Sequence, residues 1–153
     1  MMLKKVIALS SSLSSDWATP PDLYKILDYE FRFNDDPCPL GGSGGLSREW
    51  GNSTFCNPPY GRQTAAWLKK AYFEAKKGKI VVCLVPSRTD TKWWKDWVMN
   101  ANEIRFLEGR LHTPGAKWNW PFPSAIVIFE PTTVKIKVLT MKLVRPLDNG
   151  IHG

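Results

Sequence analysis

Histidine and cysteine are scarce in this chain. Its 153 residues include two histidines, His112 and His152, and three widely spaced cysteines with no Cys-x-x-Cys pair. These residues are too few and too widely spaced for a zinc site or a disulfide framework, and we expect no bound metal. Cys38, Cys56 and Cys83 stand in apolar or turn contexts, which are typical of buried, reduced thiols in a cytosolic protein.

Long apolar runs are also missing. The longest, 80–86 and 125–129, are far too short to span a bilayer, and the apolar part of residues 1–13 is too short for a signal peptide.

Acidic residues are outnumbered by basic ones, 14 against 21, which leaves a formal net charge of +7. This balance favours an anionic partner such as nucleic acid, because lysine and arginine attract phosphates. We therefore expect a soluble, intracellular protein of one domain.

What the chain does contain is an apolar run that ends in a rigid turn, residues 54–61 with the sequence TFCNPPYG. The two prolines fix φ at about −65° and remove two backbone donors, so neither a strand nor a helix continues through them. The Asn57 side-chain amide and the Pro58 carbonyl are then two acceptors at fixed spacing, which fit a planar amino group. Tyr60 follows where its ring can stack on a flat ring. We interpret the turn as a clamp for an aromatic amine; the alternative is an ordinary loop.

The turn is predicted to lie at the carboxyl end of a strand in an α/β sheet. A short apolar strand at 53–56 precedes it, a helix at 64–77 follows it, and a buried strand at 79–85 comes next. This succession predicts two parallel strands joined by a helix. Open α/β sheets bind ligands at the carboxyl ends of their strands. Further strands are predicted at 103–107 and 125–129, and at 133–138 as a hairpin partner of the preceding strand or an extension of the sheet.

A helix is predicted at 21–29, ahead of the turn. Thr19 fits the N-cap and Pro20 the first helical position, and capping alone would account for this threonine. The apolar residues Leu23, Ile26 and Leu27 are expected to face inward.

Two adjacent aspartates, Asp35 and Asp36, end a predicted strand at 31–34. An acidic residue at the carboxyl end of a strand commonly receives a ribose or an amino group. The two-residue period of a strand lets only one of the pair face a ligand. Only 20 residues separate Asp36 from Asn57, too few for two further strand–helix units, so the sheet should be truncated on this side. The glycine-rich segment 39–45 within this interval lacks the spacing of a nucleotide loop and is interpreted as a flexible surface loop.

Basic residues follow the carboxyl ends of several predicted strands and are expected to line one rim of the cleft at the turn. They are Arg88, Lys92, Lys95 and Arg110. Such a rim would contact DNA phosphates. The lysines of the 64–77 helix are instead expected to form a solvated face.

Three tryptophans lie on a helix predicted at 91–100. The i, i+4 pair Trp93 and Trp97 fits a core face, whereas Trp94 would point elsewhere and be exposed.

Several of these segments together resemble the phage Dam-like family of DNA adenine methyltransferases, which use S-adenosylmethionine. The tetrapeptide at 57–60 matches the catalytic motif of such amino-methyltransferases, and the other similar segments follow the family's order. They are 16–20 (DWATP), 33–38 (FNDDPC), 55–61 (FCNPPYG), 84–91 (LVPSRTDT), 109–111 (GRL) and 121–124 (PFPS). Together they span about residues 16–130.

The resemblance implies a truncated Rossmann-like methyltransferase fold of the α/β class, with a mostly parallel sheet and an antiparallel C-terminal edge hairpin. A single domain would cover residues 1–153, with a core at about 16–140 and a flexible tail at about 141–153. The implied activity is methylation of the N6 amino group of adenine in DNA, in the cytoplasm of a bacterial host if the gene is phage-borne.

The resemblance also implies roles for individual residues. The implied catalytic residues are Asn57, Pro58, Pro59 and Tyr60. The implied S-adenosylmethionine-binding residues are Trp17, Thr19, Pro20, Asp36, Cys38 and Asn57. Asp36 matches the family's strand-end aspartate best, and Asp35 is the alternative by one register step. Two other functions stay open: the same turn could hold an RNA base or a protein glutamine, or the scaffold could bind nucleic acid without catalysis.

Overall fold

The computed structural model describes residues 17–39, 44–133 and 136–143. Asp16, residues 40–43 and residues 144–153 of the predicted tail lie outside this description. Within the described ranges, one open sheet of five strands is combined with three α-helices. The strands are β1 (Ser53–Cys56), β2 (Ile80–Pro86), β3 (Glu103–Leu107), β4 (Ser124–Phe129) and β5 (Lys137–Met141), and the helices are α1 (Pro21–Phe31), α2 (Thr64–Lys76) and α3 (Lys92–Asp96).

The sheet is mixed, and the strand order across it is β1-β2-β4-β3-β5. β1 and β2 are parallel and joined by α2, as the sequence predicts. β4, however, lies between β2 and β3 and is antiparallel to both. Four of the five described strands therefore run in one direction, and the antiparallel strand is β4 in the middle of the sheet, not the expected C-terminal edge strand.

The C-terminal strand does not form the expected hairpin. β5 pairs in parallel with β3, from Glu103 opposite Lys137 to Leu107 opposite Met141. Because β4 already has a neighbour on each side, no free edge remains beside it for β5. Met141 consequently belongs to the sheet and not to a mobile tail.

One edge of the sheet collects the ends of four strands. β1, β2 and β3 run in the same direction, so their last residues lie at one edge, together with the first residue of the antiparallel β4. We call this the carboxyl edge. The segments that leave Cys56, Pro86 and Leu107, and the segment that enters Ser124, therefore meet there.

The segment before β1 differs from its prediction. α1 continues to Phe31, and Arg32 takes a left-handed conformation with φ 53°, while its N–H donates to Asp28 O at 2.8 Å. The Asp28 carboxylate accepts from the N–H of Phe33 at 3.0 Å and so holds the helix end. The strand predicted at 31–34 is absent, and pairing with β1 is limited to one parallel bridge between Asp35 and Thr54.

The inward face of α1 is narrower than predicted. Leu23 and Leu27 are fully buried, whereas Ile26 is 41% exposed and does not belong to the core. Each fully buried leucine contributes about 1.5–3 kcal/mol of folding free energy.

The tryptophans in and just after α3 differ from their prediction mainly at Trp94. Trp94 is buried and stacks on Phe106 with ring centroids 6.0 Å apart, whereas Trp93 and Trp97 are half-buried and pack against the same core cluster. The helix has a single turn, which the Thr91 hydroxyl caps by accepting from the N–H of Trp94 at 3.2 Å. A helix this short cannot present the i, i+4 face on which the prediction depended.

A hydrophobic cluster covers each face of the sheet. α2 and α3 pack on one face, where Trp67 and Leu68 meet the buried cysteines Cys56 and Cys83. α1 packs on the other face together with the chain around Trp120. Among the described residues, no helix has both the length and the apolar character needed to cross a membrane.

A buried ionic network closes the end of α2 away from the carboxyl edge. The Glu74 carboxylate is 1% exposed and accepts from Lys79 at 2.6 Å, Lys70 at 2.8 Å and Lys77 at 3.3 Å. Burial alone would raise the pKa of Glu74, but these ammonium groups and the N–H of Trp50 lower it to about 2. Lys70 and Lys77 are therefore paired, and the solvated face expected on α2 is reduced by two charges.

Candidate active site

The side-chain amide of Asn57 has a fixed orientation directly after β1. Its Nδ2 donates to the main-chain carbonyl of Trp17 at 2.5 Å and to the hydroxyl of Thr19 at 3.1 Å. A carbonyl only accepts hydrogen bonds, so the group facing Trp17 must be the NH₂ of the amide. The carboxamide oxygen Oδ1 consequently points away from Trp17 and remains available as an acceptor. The acceptor role of Asn57 towards a substrate stays a prediction.

Thr19 does not cap α1, as the simpler interpretation of this residue supposed. The N-cap is Pro20, which offers no side-chain hydrogen bond, and Pro21 begins the helix. The hydroxyl of Thr19 faces Asn57 instead. The segment before α1 and the turn after β1 are therefore joined through one amide group.

A threonine that the sequence analysis did not select braces the turn from its other end. Thr64 is fully buried, and its hydroxyl donates to Pro59 O at 2.9 Å while accepting from the N–H of Gly61 at 2.9 Å. Gly61 has φ 115°, a conformation that L side chains rarely adopt. Two prolines and this threonine make the turn a rigid platform. The sequence points to Thr64 only through its position, which is three residues after Gly61 and at the start of a helix.

A cavity of about 400 Å³ opens on one side of the turn. It lies at the carboxyl edge, and aromatic rings form much of its wall. Tyr60 contacts Phe122 edge-on at a centroid distance of 5.6 Å, and its hydroxyl donates to Leu84 O at 3.3 Å. Burial raises the pKa of Tyr60 well above its usual value, so the phenol stays neutral. We call this space the aromatic cavity; its lining residues are Trp17, Tyr60, Gly61, Pro86, Arg88, Thr91, Trp93, Pro121 and Phe122.

Trp93 and Phe122 of this cavity were not among the predicted site residues. Phe122 lies in the segment 121–124, which the sequence analysis noted only as a resemblance, and Trp93 was assigned to the core. Their role in the wall follows from β4 entering the sheet beside β2, which local sequence does not reveal.

A second cavity of about 360 Å³ lies on the other side of the turn, against Pro59. We call it the Trp67 cavity; it is lined by Cys38, Gly44, Leu46, Ser47, Pro59, Gln63 and Trp67. Within the described part of the chain, the indole N–H of Trp67 is buried without a hydrogen-bond acceptor. A buried donor of this kind is costly unless a ligand or water satisfies it.

Gly45 fixes the wall of the Trp67 cavity. A Cβ at this position would lie 2.1 Å from Pro37 O and 2.7 Å from the Trp67 ring, so only glycine fits. The indole of Trp50 also donates to Gly45 O at 2.7 Å. Gly45 is thus buried and held, and the interpretation of the whole 39–45 segment as a flexible surface loop is wrong at this end.

The two adjacent aspartates have different surroundings. Asp35 binds Arg48 through two hydrogen bonds of 2.7 and 2.8 Å and accepts from the N–H of Gly51 at 2.9 Å. The hydrogen bonds from Arg48 lower the pKa of Asp35. Asp36 is half-buried, and burial raises the pKa of its carboxyl, opposed by the N–H of Cys38 at 3.2 Å. Asp35 therefore belongs to a structural ion pair, whereas Asp36 has no ion-pair partner among the described residues; its role as a cofactor ligand stays a prediction.

The predicted basic rim lies at the carboxyl edge but is not uniform. Arg88 lines the aromatic cavity, with its guanidinium 5.9 Å from the Phe122 ring centroid. Lys92 is paired with Asp96 at 2.7 Å, which offsets its charge. Arg110 is exposed and shares a groove with Lys142, a residue just beyond β5 that the sequence analysis did not select. Parallel pairing of β5 with β3 brings Lys142 to this edge.

Comparison with protein families gives one match. The model for DNA N-6-adenine-methyltransferase (Dam) matches residues 42–147, well over half of the chain. A search of curated proteins finds no match. The matched range contains the turn, the basic rim and every residue that lines the aromatic cavity except Trp17. Trp17, Thr19, Pro20, Asp36 and Cys38 precede the matched range. The roles of the individual residues, inside and outside this range, stay predictions. The chain belongs to the DNA N-6-adenine-methyltransferase (Dam) family.

Proposed function

We infer that this protein transfers a methyl group from S-adenosylmethionine to the N6 amino group of adenine in DNA. The observation that carries the proposal is the position of the turn at 57–60. It stands between two cavities, with Tyr60 in the wall of one and Pro59 in the wall of the other. Two substrates can therefore approach the same turn from opposite sides.

The aromatic cavity suits an adenine that has left the duplex. A flipped base is held by stacking and by hydrogen bonds to its Watson–Crick edge. Tyr60, Trp93 and Phe122 supply apolar and aromatic surface, and the neutral phenol of Tyr60 introduces no charge against the base. The rigid turn keeps the ring of Tyr60 in place before the base arrives.

The amino group of the base would be clamped by Asn57 Oδ1 and the Pro58 carbonyl. Both oxygens accept its N–H groups, which directs the nitrogen lone pair towards the incoming carbon. The contacts from Trp17 and Thr19 hold the amide in this orientation, so little reorganisation is needed at the moment of reaction. Neither oxygen is basic enough to keep a proton, so the proton lost from nitrogen passes to solvent.

The cofactor would then occupy the Trp67 cavity. The buried N–H of Trp67 lacks an acceptor that a nitrogen-rich ring would provide, and the wall around Gly45 takes the place of the strand–helix units that the short chain lacks. Cys38 lines this cavity, and Asp36, two residues before it, would hold a polar group of the cofactor. Trp17 lines the aromatic cavity instead, so the cofactor role that the resemblance implies for this residue does not match this arrangement. When bound, S-adenosylmethionine supplies an electrophilic methyl group.

The direct test is transfer of labelled methyl from S-adenosylmethionine to purified macromolecules. We expect label in duplex DNA, recovered as N6-methyladenine after digestion to nucleosides, and none in RNA or in protein. Label in RNA or in a glutamine side chain would mean that this molecule, and not DNA, is the substrate. DNA binding without any label, together with no saturable heat on titration with cofactor, would show a non-catalytic binding protein.

A further inference from the structure

Trp118 stands out from the other tryptophans because its side chain is 74% exposed. It lies in the segment between β3 and β4, which crosses the carboxyl edge. Residues 114–119 are all exposed, so this stretch projects from the surface. The Nζ of Lys117 lies 5.2 Å from the centroid of the Trp118 ring, which places a positive charge beside the indole.

The residues on either side of this projection are fixed by hydrogen bonds. Trp120 is buried, its N–H donates to Leu111 O at 2.7 Å, and its indole donates to the Thr113 hydroxyl at 2.9 Å. Asn119 hydrogen bonds the ring of His112 at 3.1 Å. Trp118 is therefore an exposed aromatic ring on a braced support.

The residues that support the projection also pack against the aromatic cavity. Trp120 packs against Trp17 and Tyr60 at centroid distances of 5.5 and 6.5 Å, and Phe122 lines the cavity itself. The projection thus rises directly beside the mouth through which a flipped adenine would enter. A base that leaves the duplex opens a gap in the stack, and apolar side chains inserted at base steps stabilise unstacked DNA.

We propose that Trp118 stacks against the base steps of duplex DNA beside the extruded adenine, and that Lys117 binds the neighbouring phosphate. This inference rests on the proposed function, and it assigns a contact with duplex DNA to one short projection. The net charge of +7 and the cation on the indole favour DNA over an apolar protein partner.

The chain contains a matched control for this pair. Tyr29 is 76% exposed, and the guanidinium of Arg32 lies 5.1 Å from its ring centroid. This second aromatic–cation pair lies near the end of α1, where the Ser53 hydroxyl donates to Phe31 O, and so at the edge of the sheet opposite the cleft. This pair combines the same types of side chain as Trp118 and Lys117, but it lies away from the cleft.

Fluorescence anisotropy with a labelled mixed-sequence duplex, repeated over a range of salt concentrations, tests the proposal. We expect Trp118→Ala to weaken binding about 5- to 100-fold with an unchanged salt slope, because stacking involves no counterions. Lys117→Ala should reduce the slope by about 0.9. Tyr29→Ala and Arg32→Ala should change neither quantity. Acrylamide quenching of wild-type tryptophan fluorescence should fall when duplex is added, and this fall should be lost in Trp118→Phe.

Wild-type affinity for Trp118→Ala, or equal weakening by Tyr29→Ala, would overturn the proposal. All four side chains are exposed, so thermal unfolding should confirm that the variants are folded. The methyl-transfer assay on wild-type protein separates the two claims. If methyl transfer to DNA occurs while Trp118→Ala binds normally, only the role of Trp118 fails; if no transfer occurs, the proposed function itself fails.

Discussion

The carboxamide nitrogen of Asn57 lies 2.5 Å from the main-chain carbonyl oxygen of Trp17. This contact joins residues 40 positions apart and ties the chain before α1 to the turn after β1. It also decides which end of the amide faces a substrate. The orientation of the acceptor thus depends on a segment that precedes the residues matched by the family model.

Thr19 supplies the second acceptor for Asn57, and its loss should loosen the amide. We expect Thr19→Val to lower the free energy of unfolding by about 0.5–1.5 kcal/mol, the typical contribution of one hydrogen bond, and to reduce turnover. Thr19→Ser retains the hydroxyl and should remain close to wild type in both. Chemical denaturation and methyl transfer measure the two effects. Equal behaviour of the two variants would mean that the hydroxyl does not orient the amide.

Substitution of Asp36 should affect mainly cofactor binding, and substitution of Asp35 should affect mainly stability. Asp36→Ala should weaken S-adenosylmethionine binding by roughly 1.5–3 kcal/mol, as expected for a lost charged hydrogen bond. Asp35→Ala should have less effect on the cofactor but should destabilise the fold, because it removes the partner of Arg48 and of the Gly51 N–H. Calorimetric titration and denaturation of both variants give the ranking. The opposite ranking for cofactor affinity would place the ligand on Asp35.

The regular elements near the turn could be predicted from local sequence. β1 and β3 have the predicted bounds, α2 ends one residue earlier than predicted, and β2 is displaced by one residue at each end. In these segments the apolar pattern, the prolines and Gly78 all favour one structure. The family resemblance likewise led to Asn57 and Tyr60, whose motif is short and contiguous.

Features that depend on distant pairing could not be predicted in this way. The place of β4 between β2 and β3 is a choice among edges that an apolar run does not encode, and it determines both Phe122 in the aromatic cavity and Lys142 at the rim. Thr19 has the residue type and position of a cap, and only the packing of Asn57 against it reveals another partner. Trp94 is buried through its contact with Phe106 of β3, a residue distant in sequence.

Acid should weaken the fold through Glu74. Its folded-state pKa of about 2 lies below its ordinary value of 4.5, so its contribution is full above about pH 4.5 and is lost as the pH falls towards 2. We expect the free energy of unfolding to fall by about 3 kcal/mol over this range. Glu74→Gln should be destabilised at pH 7, since it leaves the buried Lys79 with only the exposed Glu49 as a charged partner, and should show a shallower decline in acid. Parallel pH profiles for the two proteins would contradict this assignment.

The basic rim should account for part of the salt dependence of DNA binding. Arg88→Ala and Arg110→Ala should each reduce the salt slope by about 0.9, because each removes one phosphate contact. Lys92→Ala should have a smaller effect, since Asp96 already offsets its charge. Lys76→Ala is the control, because this lysine lies at the far end of α2, next to the Tyr72 ring. Equal slopes for all four variants would show that the net charge is not concentrated at the carboxyl edge.

The central claim is that Asn57 acts on the base rather than on the cofactor, the other role that the family resemblance implies for it. Its most direct test measures Asn57→Ala in two ways, by methyl transfer to duplex DNA and by calorimetric titration with S-adenosylmethionine. Asn52→Ala, an exposed asparagine just ahead of β1, is the matched control. We predict that Asn57→Ala loses methyl transfer while its cofactor affinity stays close to that of wild type, and that the control retains both. Wild-type turnover by Asn57→Ala would contradict the account.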